Sequence, residues 1–118
     1  MTTVATVMHR GLISCRPDAP FVAVARTMAA HRIHCVVVPN HGIVTDLELA
    51  AALDGSVSAT AAELARAAPT LDESDSLERA ASVFRQHAAT HALVCDRSTG
   101  RATGVLSALD LADAFAAR

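Results

Sequence analysis

Lysine is missing from this chain, and so are tryptophan and tyrosine. Every permanently basic side chain is therefore an arginine, and the 10 basic residues are outnumbered by 12 acidic ones, for a net charge of −2. A duplex binder draws its affinity from a basic face that neutralises phosphates, and no such surplus exists here. Aromatic residues make up 3% of the chain. Stacking of single-stranded bases has almost nothing to work with, and the core must be aliphatic and alanine-rich. The three cysteines, Cys15, Cys35 and Cys95, are far apart, odd in number and without a CxxC pair. They read as buried free thiols of a reducing compartment, not as a disulfide framework or a zinc ribbon. No apolar run approaches the ~20 residues that a membrane span needs. The opening "MTTVATVMHRG" lacks a long apolar stretch of the signal-peptide kind. The expectation is a cytoplasmic chain with no membrane and no nucleic-acid partner. Walker loops, GxGxxG and a supported Ser/His/Asp set are also missing, so an enzyme is not expected.

What is present is a repeat. The 118 residues are 52% hydrophobic and 19% charged, enough for one compact folded module. Shifted by 62 positions, Gly42, Ile43, Val44, Thr45, Leu47, Glu48 and Leu49 fall on Gly104, Val105, Leu106, Ser107, Leu109, Asp110 and Leu111. Ala50, Ala52 and Leu53 then fall on Ala112, Ala114 and Phe115. Further upstream the shift is 56, with Phe21, Val24, Ala25 and Met28 on Leu77, Ala80, Ala81 and Phe84. The longer turn "DRSTGRAT" absorbs most of the difference. The two copies run over about 4–54 and 59–116, and the chain divides into motifs 1–57 and 58–118.

Each copy reads as a short helix ("TVATVMHR"; "ATAAELARAA"), a short strand ("LISC"; "PTL"), and an amphipathic helix whose apolar stripe repeats at i, i+3, i+4 and i+7. That stripe is Phe21, Val24, Ala25 and Met28 in one copy, and Leu77, Ala80, Ala81, Phe84 and Ala88 in the other. Pro20 suits a first helical turn, and Asp75 with Glu78 resembles a capping box. Two strands follow ("HCVVV" and "GIVT"; "HALVC" and "GVLS"), then a last helix ("DLELAAAL"; "ALDLADAFAAR"). One copy of about 55 residues is near the lower limit for folding alone. The fold class expected is α+β, with the copies packed sheet to sheet about a pseudo-twofold axis.

Within "GVLSALDL" a hydroxyl, Ser107, stands three places before a carboxylate, Asp110, at a strand end that opens a helix. Two uses remain open on local chemistry. The pair is either a helix cap with a first-turn acid, or a site where a carboxylate accepts hydrogen bonds from a cis-diol beside a helix N-terminus suited to phosphate.

The motifs "GIVTDLE" and "GVLSALD", each following the same order of elements, resemble a tandem pair of CBS domains, the regulatory module named after cystathionine β-synthase. The resemblance covers residues 4–116. It implies two β-α-β-β-α units packed through their sheets, and paired clefts that take adenosine compounds such as AMP, ADP, ATP or S-adenosylmethionine. Carried onto this chain, one cleft has Ser107, Asp110, Thr90 and His91, with Ile13, Ile33 and His34 from the first copy. Its mirror has Thr45, Glu48 and His34, with Thr70, Ala89 and Thr90 from the second. Glu48 stands where the family uses Asp, and its extra methylene displaces the carboxylate by about 1.5 Å. The Asp110 cleft is expected to bind better.

The cluster His31, His34, Cys35 and His41 is mis-spaced for a metal, because neighbours on a strand face opposite ways. His31 reads as a helix-end residue. His34 and His91, placed alike before the middle strands, are either phosphate contacts or strand-end residues. Arg10, Arg16, Arg32 and Arg101 are either phosphate partners or solvated charges, with Arg32 beside Ile33. The reading is a stand-alone ligand-sensing regulatory module with no catalytic cofactor, forming a homodimer through alanine-rich helices and acting on an unidentified regulated protein. The alternative is an interaction module whose clefts are filled by its own side chains.

Overall fold

The computed structural model describes residues 2–55 and 59–117. The motif boundary expected at 57/58 lies outside the described residues. In chain order the elements are α1 (Val4–Val7), β1 (His9–Arg10), α2 (Phe21–His31), β2 (Cys35–Val38), β3 (Gly42–Thr45), α3 (Asp46–Asp54), α4 (Ala61–Leu64), β4 (Thr70–Asp72), α5 (Leu77–His87), β5 (His91–Asp96), β6 (Arg101–Ser107) and α6 (Ala108–Ala116). The architecture is α+β. It resolves into two compact units, one of Met1–Leu12 with Ala68–Arg118 and one of Ile13–Ala67. The short helix that opens each sequence repeat therefore joins the body of the other repeat.

In the first unit the sheet order is β1-β6-β5-β4, with β5 antiparallel to β6, β6 antiparallel to β1, and β4 parallel to β5. Its core gathers Val4, Leu71, Leu77, Ala80, Val83, Phe84, Ala92, Val94, Leu106 and Leu111. The α5 stripe is as expected at Leu77, Ala80 and Phe84, with Val83 added. Ala88 is not part of it. It caps the helix in the left-handed conformation, φ 48°, and is exposed. The N-cap of α5 is Ser76, whose Oγ accepts from the Arg79 N–H at 3.0 Å. Asp75 instead turns back to accept the Asp72 N–H at 2.8 Å, so the cap lies one residue beyond the expected Asp75 and is one-sided. Pro20 likewise sits at the N-cap of α2, not inside the helix.

The second unit is built alike. β2 and β3 form an antiparallel hairpin, flanked by single bridges from Ser14 to Val37 and from Arg66 to Ile43. The expected strand "LISC" is thus reduced to one bridge. Its core holds Cys15, Val24, Met28, Val36, Val38, Val44 and Ala61. α1 and α4 are only four residues each. The sequence pattern extended both, but the chain after each must straighten to lie beside β6 or β3. Motif glycines make that approach feasible. A Cβ on Gly104 would stand 2.1 Å from the His9 carbonyl oxygen, and one on Gly42 would stand 2.0 Å from that of Arg66.

Candidate functional site

The two motif acids are fixed by their own helix ends. The Ser107 N–H donates to Asp110 Oδ2 at 2.8 Å, and the Asp110 N–H donates to Ser107 Oγ at 3.1 Å, a reciprocal capping box at the start of α6. Thr45 and Glu48 form the matching box at α3. The cap is therefore real in both units. It fixes the carboxylate at a strand end, where it is 11% exposed for Asp110 and 13% for Glu48.

The extra methylene of Glu48 has a structural consequence. It lets Oε1 curl over Thr45 and take both the backbone N–H at 2.8 Å and the hydroxyl at 2.6 Å. Asp110 is too short to do so, and the Ser107 hydroxyl acts as acceptor to the helix.

Around Asp110 the first unit assembles several expected residues. His91 stands opposite Ser107 in the β5–β6 register, and the Ala108 N–H donates to the Thr90 carbonyl at 2.8 Å. Thr90 Oγ1 lies 2.9 Å from His91 Nδ1. Thr70 is exposed and pairs with Leu93, two residues along β5 from His91. Ala89 packs on the core of its unit, because the turn ending α5 sends its N–H back to the Phe84 carbonyl at 3.0 Å.

The second unit repeats these relations. The Asp46 N–H donates to the His34 carbonyl at 3.2 Å, and Ile33 packs on its own core with its N–H on the Met28 carbonyl at 3.0 Å. Ile13 accepts the Val37 N–H at 2.9 Å. Cys35, not His34, stands opposite Thr45 in register, so His91 corresponds to Cys35, and His34 to Thr90. The parallel drawn between His34 and His91 from sequence is thus off by one residue, and a one-residue step on a strand reverses the side-chain face. His34 is exposed and paired with the exposed Asp46. Burial, reinforced by Glu48 and Asp46, pushes the Cys35 thiol up to about 12, so it stays protonated and unreactive at neutral pH.

Two neighbours of the acids escaped the sequence reading. His9 Nε2 lies 3.0 Å from Asp110 Oδ1, and Arg66 NH1 lies 3.7 Å from Glu48 Oε2. A shift of 57 superposes them in the sequence, but their partners belong to the other repeat, and pattern alone does not reveal that exchange. Among the arginines considered for phosphate, Arg10 is 3.0 Å from Glu73 and Arg16 is 3.2 Å from Asp18. Arg32 is the left-handed cap of α2, and Arg101 opens β6, exposed. His31 closes α2 with Nδ1 2.9 Å from the Thr27 carbonyl oxygen. Among the described residues no group of His, Cys, Asp or Glu side chains is placed to hold a metal ion. No described helix is long and apolar enough to cross a membrane.

The family model described as "CBS domain" matches residues 4–55 and again 61–117. No curated protein matches the chain. Among solved structures, the CBS domain pair of protein MJ0100, in complex with 5′-methylthioadenosine and S-adenosyl-L-methionine, is similar with TM-score 0.88 at 20% identity, over 99% of this chain and 98% of that one. CBSX2 in complex with AMP gives 0.77 at 18% identity, over 98% and 97%. The CBS domain protein PAE2072 from Pyrobaculum aerophilum, complexed with AMP, gives 0.78 at 23% identity, over 92% and 89%.

Proposed function

The chain belongs to the CBS-domain family, and from that footing we propose that it is a regulatory module that senses an adenosine compound and catalyses nothing itself. The observation that carries the proposal is the motif carboxylate, held rigidly at the same strand end in both units and presented by a capping box. A fixed carboxylate can accept ribose hydroxyls without itself moving. Asp110 is the better acceptor, with Ser107, Thr90 and His91 around it in the first unit. Thr45, Glu48 and His34 form the poorer counterpart, because Glu48 spends Oε1 on Thr45. Ile13, Ile33, Thr70 and Ala89 complete the proposed ligand-contact set. The adenosine compounds bound by the MJ0100 pair, CBSX2 and PAE2072 support the choice of ligand class.

A thermal-shift screen of AMP, ADP, ATP and S-adenosylmethionine tests it. A ligand present at 100 times its dissociation constant should stabilise by about 2.7 kcal/mol, a rise of several degrees. A melting point unmoved by all four would leave the interaction module with self-filled clefts as the reading.

The module is also proposed to act as a homodimer. Leu47 on α3 and Leu109 on α6 hold matching positions and are 69% and 66% exposed. Leu53 and Phe115, one to two turns on, are exposed as well. Paired apolar faces of this kind suit self-association. Leu47→Glu with Leu109→Glu should convert a dimer to a monomer in sedimentation equilibrium while leaving the far-ultraviolet circular dichroism unchanged. A wild-type chain that sediments as a monomer overturns the dimer.

A further inference from the structure

His9 and Arg66 hold matched positions beside the motif carboxylates: His9 Nε2 is 3.0 Å from Asp110 Oδ1, within hydrogen-bond reach, and Arg66 NH1 is 3.7 Å from Glu48 Oε2, an ion pair without a hydrogen bond. The carboxylates are pinned by their capping boxes and are 11% and 13% exposed, whereas the His9 and Arg66 side chains are 79% and 49% exposed. The acid is tied to its helix end by two hydrogen-bonded groups, whereas the ring lies largely, and the guanidinium about half, in solvent. On Asp110, Oδ2 is committed to the Ser107 N–H, and Oδ1 is the oxygen that His9 covers. A diol that needs both oxygens must move the imidazole aside. We infer that His9 and Arg66 are gate residues, internal partners that hold the motif acids until a ligand displaces them, and so set the affinity of each site.

This inference rests on the proposal that the motif acids bind a ribose. It goes further in giving the two gates different characters. A guanidinium is a permanent cation, so the competitor beside Glu48 is of a constant kind. Histidine changes its charge near neutrality, and a protonated ring holds a carboxylate more strongly than a neutral one. Among the described residues the charged or titratable groups near His9 include His91, which stands opposite Ser107 on β5. Asp110 is its partner, and Asp113 is the next acid along α6. Arg10, its neighbour on β1, is turned to Glu73 at 3.0 Å. β6 carries only Arg101, at its far end, and α1 has no charged residue. Ligand displacement of His9 is therefore harder at acid pH.

The probe is 5′-methylthioadenosine, whose ribose is intact and which carries no phosphate to titrate over the range used. Calorimetry at about pH 5.5 and about pH 8 is run on wild type, His9→Ala, Arg66→Ala, the double variant and Asp110→Asn. Expected results are binding by wild type about three- to tenfold weaker at the lower pH, and tighter binding by His9→Ala with that dependence reduced to whatever His91 contributes. Arg66→Ala should add a second, weaker site. Binding by the double variant alone, with wild type silent, also supports the gates. If wild type binds, Asp110→Asn abolishes binding, and His9→Ala is unchanged or weaker, the gate is overturned and the ribose site stands. If neither wild type nor the double variant binds, both are overturned.

Discussion

Asp110→Ala is expected to weaken binding of AMP by about two to four orders of magnitude, and Glu48→Ala by no more than about threefold. The first figure follows from removing two hydrogen bonds to a charged acceptor, each worth about 1.5–3 kcal/mol where water is largely excluded. The second follows from the geometry of Glu48. Its Oε1 accepts two groups, the Thr45 N–H and hydroxyl, with the Arg66 cation facing Oε2, whereas Asp110 Oδ2 accepts the Ser107 N–H alone of that pair and its Oδ1 faces the exposed His9 ring. Isothermal calorimetry on both variants makes the comparison. Asp110→Ala also removes the acceptor of the Ser107 N–H, which costs the start of α6 about 1 kcal/mol. Asp110→Asn keeps an acceptor for that N–H and removes the charge, so a loss of AMP affinity without a matching drop in melting temperature assigns the effect to the ligand. The reverse ranking, with Glu48 the more sensitive, overturns the assignment of the better site.

Much of this was legible from the residues because the information is local. The stripe Leu77, Ala80, Phe84 specifies α5 through its 3.6-residue period, and the apolar runs at Val36–Val38 and Ala92–Val94 specify buried strands. The hydroxyl and acid three residues apart made a helix cap one of the two readings, because that spacing returns a side chain to the first-turn N–H, and the cap is formed in both units. Helix ends were less legible. Arg32 and Ala88 take left-handed conformations, φ 52° and 48°, that neither side chain favours. The turn that follows is selected by burial of Ile33 and Ala89, which no residue before them announces. The partners of the acids were illegible for a third reason. His9 meets Asp110 across 101 positions of sequence, as the subtraction 110 − 9 gives, and only the exchange of the opening helices brings them together. Two repeats of one pattern constrain what each unit contains, but they do not say which copy of the opening helix it takes.

Three glycines separate two physical causes of lost stability, and two of them, Gly104 and Gly42, lie where the exchanged segments meet the motif strands. Gly104 has no positive φ, but its Cβ would lie 2.1 Å from the His9 carbonyl oxygen. Gly104→Ala should therefore cost about 1–3 kcal/mol by overpacking alone. Gly100 has φ +72° with nothing within 4 Å of a Cβ, so Gly100→Ala should cost about 1 kcal/mol by backbone strain alone. Gly42 carries both burdens, with φ +115° and a Cβ 2.0 Å from the Arg66 carbonyl oxygen. Gly42→Ala should approach the sum of the other two, about 2–4 kcal/mol, because neither relaxation relieves the other. Urea denaturation of the three variants measures the ranking Gly42 > Gly104 > Gly100. In both motif cases the nearest colliding atom is backbone, which cannot rotate away as the Met8 side-chain tip beside Gly104 can, so the displaced segment must be the one that bears His9 or Arg66. A Gly104→Ala protein as stable as wild type would mean that the chain after α1 does not lie against β6. The opening helix would then lose its anchor in the first unit, and His9 its reach to Asp110.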